Sequence, residues 1–312
     1  MRNHRTFALG AAALALIVSA CAPGGGDDTT SSPGGSPAAG GETIVIGSAG
    51  FYESQLMAEI YAQALEGAGF TVERQLGIGT REQTQPALES GQIDLMPEYI
   101  GSELTFLGGT ASGDPEQTYA DLQEALADLG LTALDYTPAQ DQNAFVVRQE
   151  TATELGLETM SDLAEVATDL VWGLPPECET NPLCAGALEE EYGIPFDELE
   201  IEPLAACDAP IATALNDGVV DVAELCSTQP DIERFNFVTL VDDKQTQPAE
   251  NIAPVVRTEL LDAVGGRLAD VLNPISAAMT TEELTSLGVL VAVEQQDVAD
   301  VAADWLADNG LN

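Results

Sequence analysis

Histidine, the commonest proton carrier of active sites, occurs once in the chain, at His4. Beyond it, acid–base, nucleophilic or metal chemistry rests on carboxylates and cysteines. Triads that need imidazole and histidine-ligated metal sites are excluded. Carboxylates are abundant, with 53 Asp and Glu against 9 Lys and Arg and a formal net charge of −44. No spacing sets two of them up as an acid–base pair; Glu98, Glu250 and Asp208 come nearest to the carboxylate-based chemistry of a hydrolase. Cys178, Cys184, Cys207 and Cys226 form an even set, which in an exported chain points to disulfides with three connectivities open. Cys178 and Cys184 bracket a turn-like Glu-Thr-Asn-Pro-Leu segment. Cys207 and Cys226 each end an apolar, strand-like run, so 178–184 with 207–226 is favoured. A cysteine metal site is the alternative, weakened by the lack of a Cys-x-x-Cys pair. No metal or cofactor is expected.

The N-terminal residues bear on compartment. Arg2, His4 and Arg5 precede an apolar run from Phe7 to Val18, too short to span a bilayer comfortably. Val18-Ser19-Ala20-Cys21 reads as a lipobox, which makes 1–20 a lipoprotein signal peptide and Cys21 the acylated residue. An ordinary signal peptide cut near Ala20 is the alternative. Residues 21–41 are mostly Gly, Ser, Pro, Thr and Ala and read as a flexible tether. The expectation is a domain exported and lipid-anchored at the outer, or periplasmic, face of the cell membrane. So acidic a surface repels nucleic acid and anionic lipid, and no nucleic-acid partner is expected. Lys244 is the single lysine. That scarcity suits high salt, where self-repulsion is screened, and also follows from a GC-rich genome.

From residue 42 onward the chain is long enough for two medium domains. Thr43–Ile46 reads as a buried strand. Leu56, Met57, Ile60, Tyr61, Ala64 and Leu65 share one helical face, ended by Gly67 and Gly69. A strand over Phe70–Leu76, a helix over Gln83–Glu89 and a strand over Ile93–Met96 follow, the alternation of an α/β fold with parallel sheets. The pattern A-L-x-x-G-x-x-D occurs at Ala87–Asp94 and again at Ala214–Asp221. It fits any helix-to-strand connection, but with the alternation around both copies it points to two similar lobes. The polar stretches Tyr136–Asn143 and Lys244–Pro254 read as crossings. Lobe one is then 42–138 plus 250–312, and lobe two 143–245. Val298, Val301, Ala302 and Trp305 form an apolar helical stripe in which Trp305 is core.

Several blocks resemble the glycine betaine, carnitine and choline-binding proteins of osmoprotectant ABC importers. They are Ile46-Gly47-Ser48 with Phe51 and Glu53, Glu59–Glu66, Gly79–Glu82 and Pro86–Gly101, which contains Pro97-Glu98-Tyr99-Ile100-Gly101. The likeness continues through Asp242-Asp243-Lys244, Asn251–Arg257 and Leu287–Val293. The resemblance implies a two-lobed, periplasmic-binding-protein-like fold of type II with two inter-lobe crossings, closing on a small osmolyte. It also implies ABC permease subunits with a cytoplasmic ATPase as partners.

In that family aromatic rings box a quaternary ammonium, because a trimethylammonium cannot donate hydrogen bonds and π faces must replace its hydration. Tyr99 stands at one box position, and Phe51 adds a second ring if it turns inward. Asn143, Cys226 and Glu250 occupy positions where the family tends to be aromatic, and Ala49 replaces a lysine able to meet a ligand carboxylate. Ser48, Phe51, Thr80, Tyr99, Asn143, Ser227, Thr228 and Glu250 are the candidate ligand contacts. Arg81 is a weaker one, able instead to anchor a loop. Glu250 either meets a cationic head or faces solvent as most acidic residues do. With Ala49 it favours a cationic ligand such as choline over a betaine. The alternatives are a binder of a different polar solute, a ligand-sensing module and, remotely, the hydrolase.

Overall fold

The computed structural model describes residues 43–312. The expected signal peptide over 1–20, the expected acylation site Cys21 and the expected tether over 21–41 lie outside the described residues. Ten strands form two five-stranded sheets: β1 (Thr43–Ala49), β2 (Thr71–Gly79), β3 (Leu95–Tyr99), β4 (Leu131–Ala133) and β10 (Ile252–Arg257) in one, and β5 (Asn143–Arg148), β6 (Val171–Leu174), β7 (Glu200–Pro203), β8 (Val222–Cys226) and β9 (Phe237–Thr239) in the other.

The strand orders are β2-β1-β3-β10-β4 and β7-β6-β8-β5-β9. In each sheet one strand, β10 or β5, lies antiparallel to both its neighbours, and that strand is the one reached by a crossing from the other sheet. The fold is α/β with helices on both faces of each sheet. Burial on both faces explains why the inner strands are near-continuous apolar runs, while β2, at an edge, carries Glu73, Arg74 and Gln75. Each sheet has its own two apolar cores, and no core draws residues from both. Between the sheets lies a cleft.

The repeated A-L-x-x-G-x-x-D motif performs one job twice. Gly91 and Gly218 turn the chain at φ near +73° and +72°, where only glycine is unstrained. The Asp94 carboxylate then accepts from the Val45 amide at 2.9 Å and from Arg257 Nη1 at 3.0 Å. Asp221 accepts likewise from Val171 at 3.1 Å and from Arg148 Nη2 at 2.7 Å. Each aspartate thus ties a parallel strand, β1 or β6, to the end of the antiparallel strand, β10 or β5.

The observed elements run slightly past the expected ones. β2 extends to Gly79 and β3 to Tyr99, so the Pro-Glu-Tyr block is strand rather than loop. Pro254, read as part of a crossing, lies inside β10 opposite Pro97, a register at which neither residue has an amide hydrogen to exchange. Trp305 is core, with its indole N–H donated to Glu283 at 2.8 Å. Cys178 pairs with Cys184 and Cys207 with Cys226, the favoured connectivity. The one group of three Cys, Asp or Glu ligand atoms close enough to share a metal, among the described residues, is Cys178, Cys184 and Glu224. With its sulfurs joined to each other, neither thiolate is available.

Candidate ligand-binding cleft

The cleft is built from chain ends. β1 stops at Ala49, and Phe51 is the N-cap of the helix Tyr52–Gly67, so the Phe51 ring is left 45% exposed and Glu53 falls in the first turn. The helix N-terminus favours an acid there. β3 ends at Tyr99, whose hydroxyl donates to the Glu53 carboxylate and whose ring lies 5.9 Å from that of Phe51, centroid to centroid. A wall of two aromatics and one buried acid results. Phe51 borders cavities of about 500, 360 and 480 Å³ that together make the cleft.

Arg81 opens the helix Arg81–Glu89 and reaches Glu98 at 2.7 Å and Glu103 at 2.9 Å; both acids are nearly or wholly buried. Glu250 leads into β10 and accepts from the Ser102 amide at 3.0 Å and its hydroxyl at 2.8 Å. A side chain at Gly101 would come within 2.6 Å of the Ala249 carbonyl oxygen, so only glycine lets these segments approach. Asp141 belongs to the first crossing, and its amide donates to the Glu250 carbonyl at 3.1 Å. From the second sheet come Asn143, paired with Cys226 across β5 and β8, the Cys207–Cys226 disulfide, Thr228 and Gln229.

Burial dominates the electrostatics. It pushes Glu53 up to about 8, helped by the Asp141 charge, while hydrogen bonds from Tyr99 and Thr228 pull the other way. Burial raises Asp141 too, again opposed by Thr228. Glu103 is pushed up to about 8 by burial and the Glu98 charge against the pull of Arg81. Glu250 rises to about 7 by burial, opposed by Ser102 and Arg81. A positive charge entering the cleft would reverse these shifts.

Six of the eight candidate contacts border the cleft: Phe51, Thr80, Tyr99, Asn143, Thr228 and Glu250. Ser48 does not reach it. Its hydroxyl is fully buried, donating to the Ala49 carbonyl at 3.0 Å and accepting from the Gly77 amide at 2.8 Å. Ser227 joins the first crossing instead, donating to the Gln140 carbonyl at 2.7 Å and accepting from the Gln142 amide at 3.0 Å. It borders a separate space of about 310 Å³. Sequence reasoning did not pick out Glu53, Asp141 or Ser102 as cleft residues. A signal existed for Glu53, in the first turn of an apolar helix and two residues after Phe51; Asp141 lay in a polar stretch with nothing to distinguish it.

Residues 42–308 match the family described as the substrate binding domain of an ABC-type glycine betaine transport system. The chain belongs to that family. Such domains are the solute-binding components of importers that work with permease and ATPase subunits. This binding protein is 30% identical over 280 residues to the glycine-betaine-binding protein of Pseudomonas aeruginosa, covering 86% of this chain and 89% of the relative. It also superimposes on a solved glycine betaine/carnitine/choline ABC transporter structure with a TM-score of 0.80 at 25% identity, over 86% of this chain and 99% of the other. Against unliganded YehZ of Escherichia coli the TM-score is 0.79 at 26% identity, over 87% and 100%. No described helix of the binding protein is long and apolar enough to cross a membrane.

Proposed function

We propose that this binding protein captures a small osmolyte with a positively charged head in the cleft and delivers it to the permease of its importer. The observation that carries the reading is the charge balance around Phe51 and Tyr99. Glu53, Glu98, Glu103, Asp141 and Glu250 stand in or just behind its walls, and the two cations there are already engaged, Arg81 by Glu98 and Glu103 and Arg234 by Asp231. A cation entering such a cleft exchanges its hydration for carboxylates and aromatic faces. With Ala49 in place of a lysine, no free cation is offered to a ligand carboxylate, which favours choline over glycine betaine.

Phe51, Thr80, Tyr99, Asn143, Thr228 and Glu250 are the proposed ligand contacts, with Ser48 and Ser227 supporting the backbone around them. Lobe one, 42–138 plus 250–312, and lobe two, 143–245, close on the ligand about the two crossings; ligand touching both faces favours the closed form. The chain is held outside the cell membrane through acylated Cys21 and the 21–41 tether. It is a binder without catalysis, since Glu98 and Glu250 are held by Arg81 and Ser102 rather than set against a nucleophile.

The test is thermal unfolding at low and high salt with choline, glycine betaine, carnitine, proline, other amino acids, polyamines and sugars. A ligand at about 100 times its Kd stabilises by about 2.7 kcal/mol. Choline should shift the transition more than glycine betaine, and Glu250→Gln should abolish the choline shift. Stabilisation by sugars or uncharged solutes alone would refute the cationic reading.

A further inference from the structure

We propose that Tyr52 reads the uncharged end of the ligand: its hydroxyl donates a hydrogen bond to a ligand hydroxyl, so the cleft takes a cationic alcohol. This inference rests on the cationic reading of the same cleft and sharpens it.

Tyr52 opens the helix that Phe51 caps, and both residues border the cavity of about 500 Å³ between the sheets. Helical side chains lean towards the N-terminus, which carries a ring at this position out over the end of the helix. Its tip stands where the two halves of the molecule meet. A β-carbon on Gly288 would lie 2.9 Å from the Tyr52 hydroxyl oxygen and 3.0 Å from Cγ of Pro230, which lies between β8 and β9 of the second sheet.

The uncharged side-chain donors bordering this cavity are Tyr52, Thr228 and Gln229. Thr228 is taken up by Glu53 and Asp141, and Gln229 donates to Asp231 at 3.0 Å. The Tyr52 hydroxyl has no hydrogen-bond partner among the described residues. Unlike the sealed hydroxyl of Tyr61, it keeps accessible surface and so is open to a ligand. Burial, with the charges of Glu53, Asp141 and Asp231, pushes the phenol well above its ordinary range, so at neutral pH it keeps its proton and donates.

Those three acids also decide which ligand oxygen it meets. A carboxylate end brought among them is repelled, whereas a hydroxyl carries no charge and accepts from the phenol. Arg234, the one positive side chain bordering this cavity among the described residues, is half exposed and paired with Asp231 at 3.3 Å. A phenyl ring would fill the same space beside Gly288 and Pro230; the oxygen of Tyr52 adds only the hydrogen bond.

Titration calorimetry of the full-length protein at pH 7.5 compares choline, ethyltrimethylammonium (choline without its oxygen) and glycine betaine, in the native chain and in Tyr52→Phe. The native protein should hold choline about tenfold more tightly than ethyltrimethylammonium, the worth of one good hydrogen bond. In Tyr52→Phe the gap should shrink to about twofold or less, through loss of choline affinity with ethyltrimethylammonium unchanged. Choline binding no tighter than ethyltrimethylammonium, or an equal gap in both proteins, overturns this inference and leaves the cationic reading standing. Equal weakening of both by Tyr52→Phe would mean that Tyr52 shapes the seam and does not read the hydroxyl, again overturning it. Glycine betaine as the tightest of the three would overturn it too, by showing that the end read there is a carboxylate. Failure of all three to bind overturns the cationic reading along with it.

Discussion

The two sheets follow one plan and part company where they face each other. The stretch Thr80–Tyr99 corresponds without gaps to Cys207–Cys226, with Gly91 matching Gly218 and Asp94 matching Asp221. In this correspondence Thr80 falls on Cys207 and Tyr99 on Cys226. The junction between the start of a helix and the end of a neighbouring strand is therefore fastened twice, by different chemistry. In the second lobe the disulfide joins the turn before the helix Ala209–Asn216 to the end of β8. In the first, Arg81 at the start of its helix is clamped by Glu98 at the end of β3 and by Glu103 just beyond. The covalent tie gives a wall with no charge to titrate, whereas the ionic tie brings buried carboxyls to the cleft. One lobe supplies fixed shape and the other supplies the field that a ligand feels.

The sharpest way to break this comparison is to cut each tie and vary pH. Arg81→Leu leaves Glu98 and Glu103 buried without their cation, and breaking a buried pair in this way costs about 3–5 kcal/mol. That loss should appear at pH 8 and shrink at pH 5.5, where the stranded carboxyls escape by taking up protons. Cys207→Ser with Cys226→Ser should cost less, about 3 kcal/mol from the loop-closure entropy of a disulfide spanning 19 residues, and about the same amount at both pH values. Urea denaturation midpoints at the two pH values measure both effects. A pH-independent loss for Arg81→Leu would show that the arginine acts as packing and that the two ties do not differ in kind.

Much of this plan was legible in the sequence, and the parts that were not share a cause. The α/β alternation and the two A-L-x-x-G-x-x-D copies are local patterns, and they marked both lobes. Arg148 and Arg257, which complete the aspartate clamps, sit at the ends of strands distant in the chain from Asp221 and Asp94, and no short pattern announces them. Tyr99 and Phe51 stood out through the resemblance to the family's aromatic box, Tyr99 within the Pro97–Gly101 block. Glu53 and Asp141 were two acids among 53, and what singles them out is burial against Tyr99 and Thr228, contributed by chain segments far away. Ser48 and Ser227 misled in the opposite direction. A serine beside a glycine or a crossing looks like a ligand contact, yet here each hydroxyl completes the hydrogen bonding of nearby backbone.

The smallest effect separates the lobes by their protons. Burial pushes Glu53 and Glu103 to about 8 in the first lobe and Glu250 to about 7. In the second it pushes Glu224, which faces the Cys178–Cys184 disulfide, to about 7. A carboxyl whose pKa is higher folded than unfolded binds its proton more tightly when folded. Its contribution is fully present below the unfolded value of about 4.5 and is lost as pH rises through 7–8. The unliganded protein should therefore melt at progressively lower temperature between pH 5.5 and 8.5 at constant ionic strength, by calorimetry or circular dichroism. Glu224→Gln should flatten the second lobe's share of that slope, and every tenfold difference in proton affinity between folded and unfolded chain that it removes is worth about 1.4 kcal/mol. A saturating cationic ligand should offset the fall, because it favours the ionised carboxyls of the first lobe, and its affinity should rise over the same range. A melting temperature that climbs from pH 5.5 to 8.5 without ligand would mean that the buried acids are already ionised at neutrality. The cleft would then hold fixed negative charge, with no proton to release on binding.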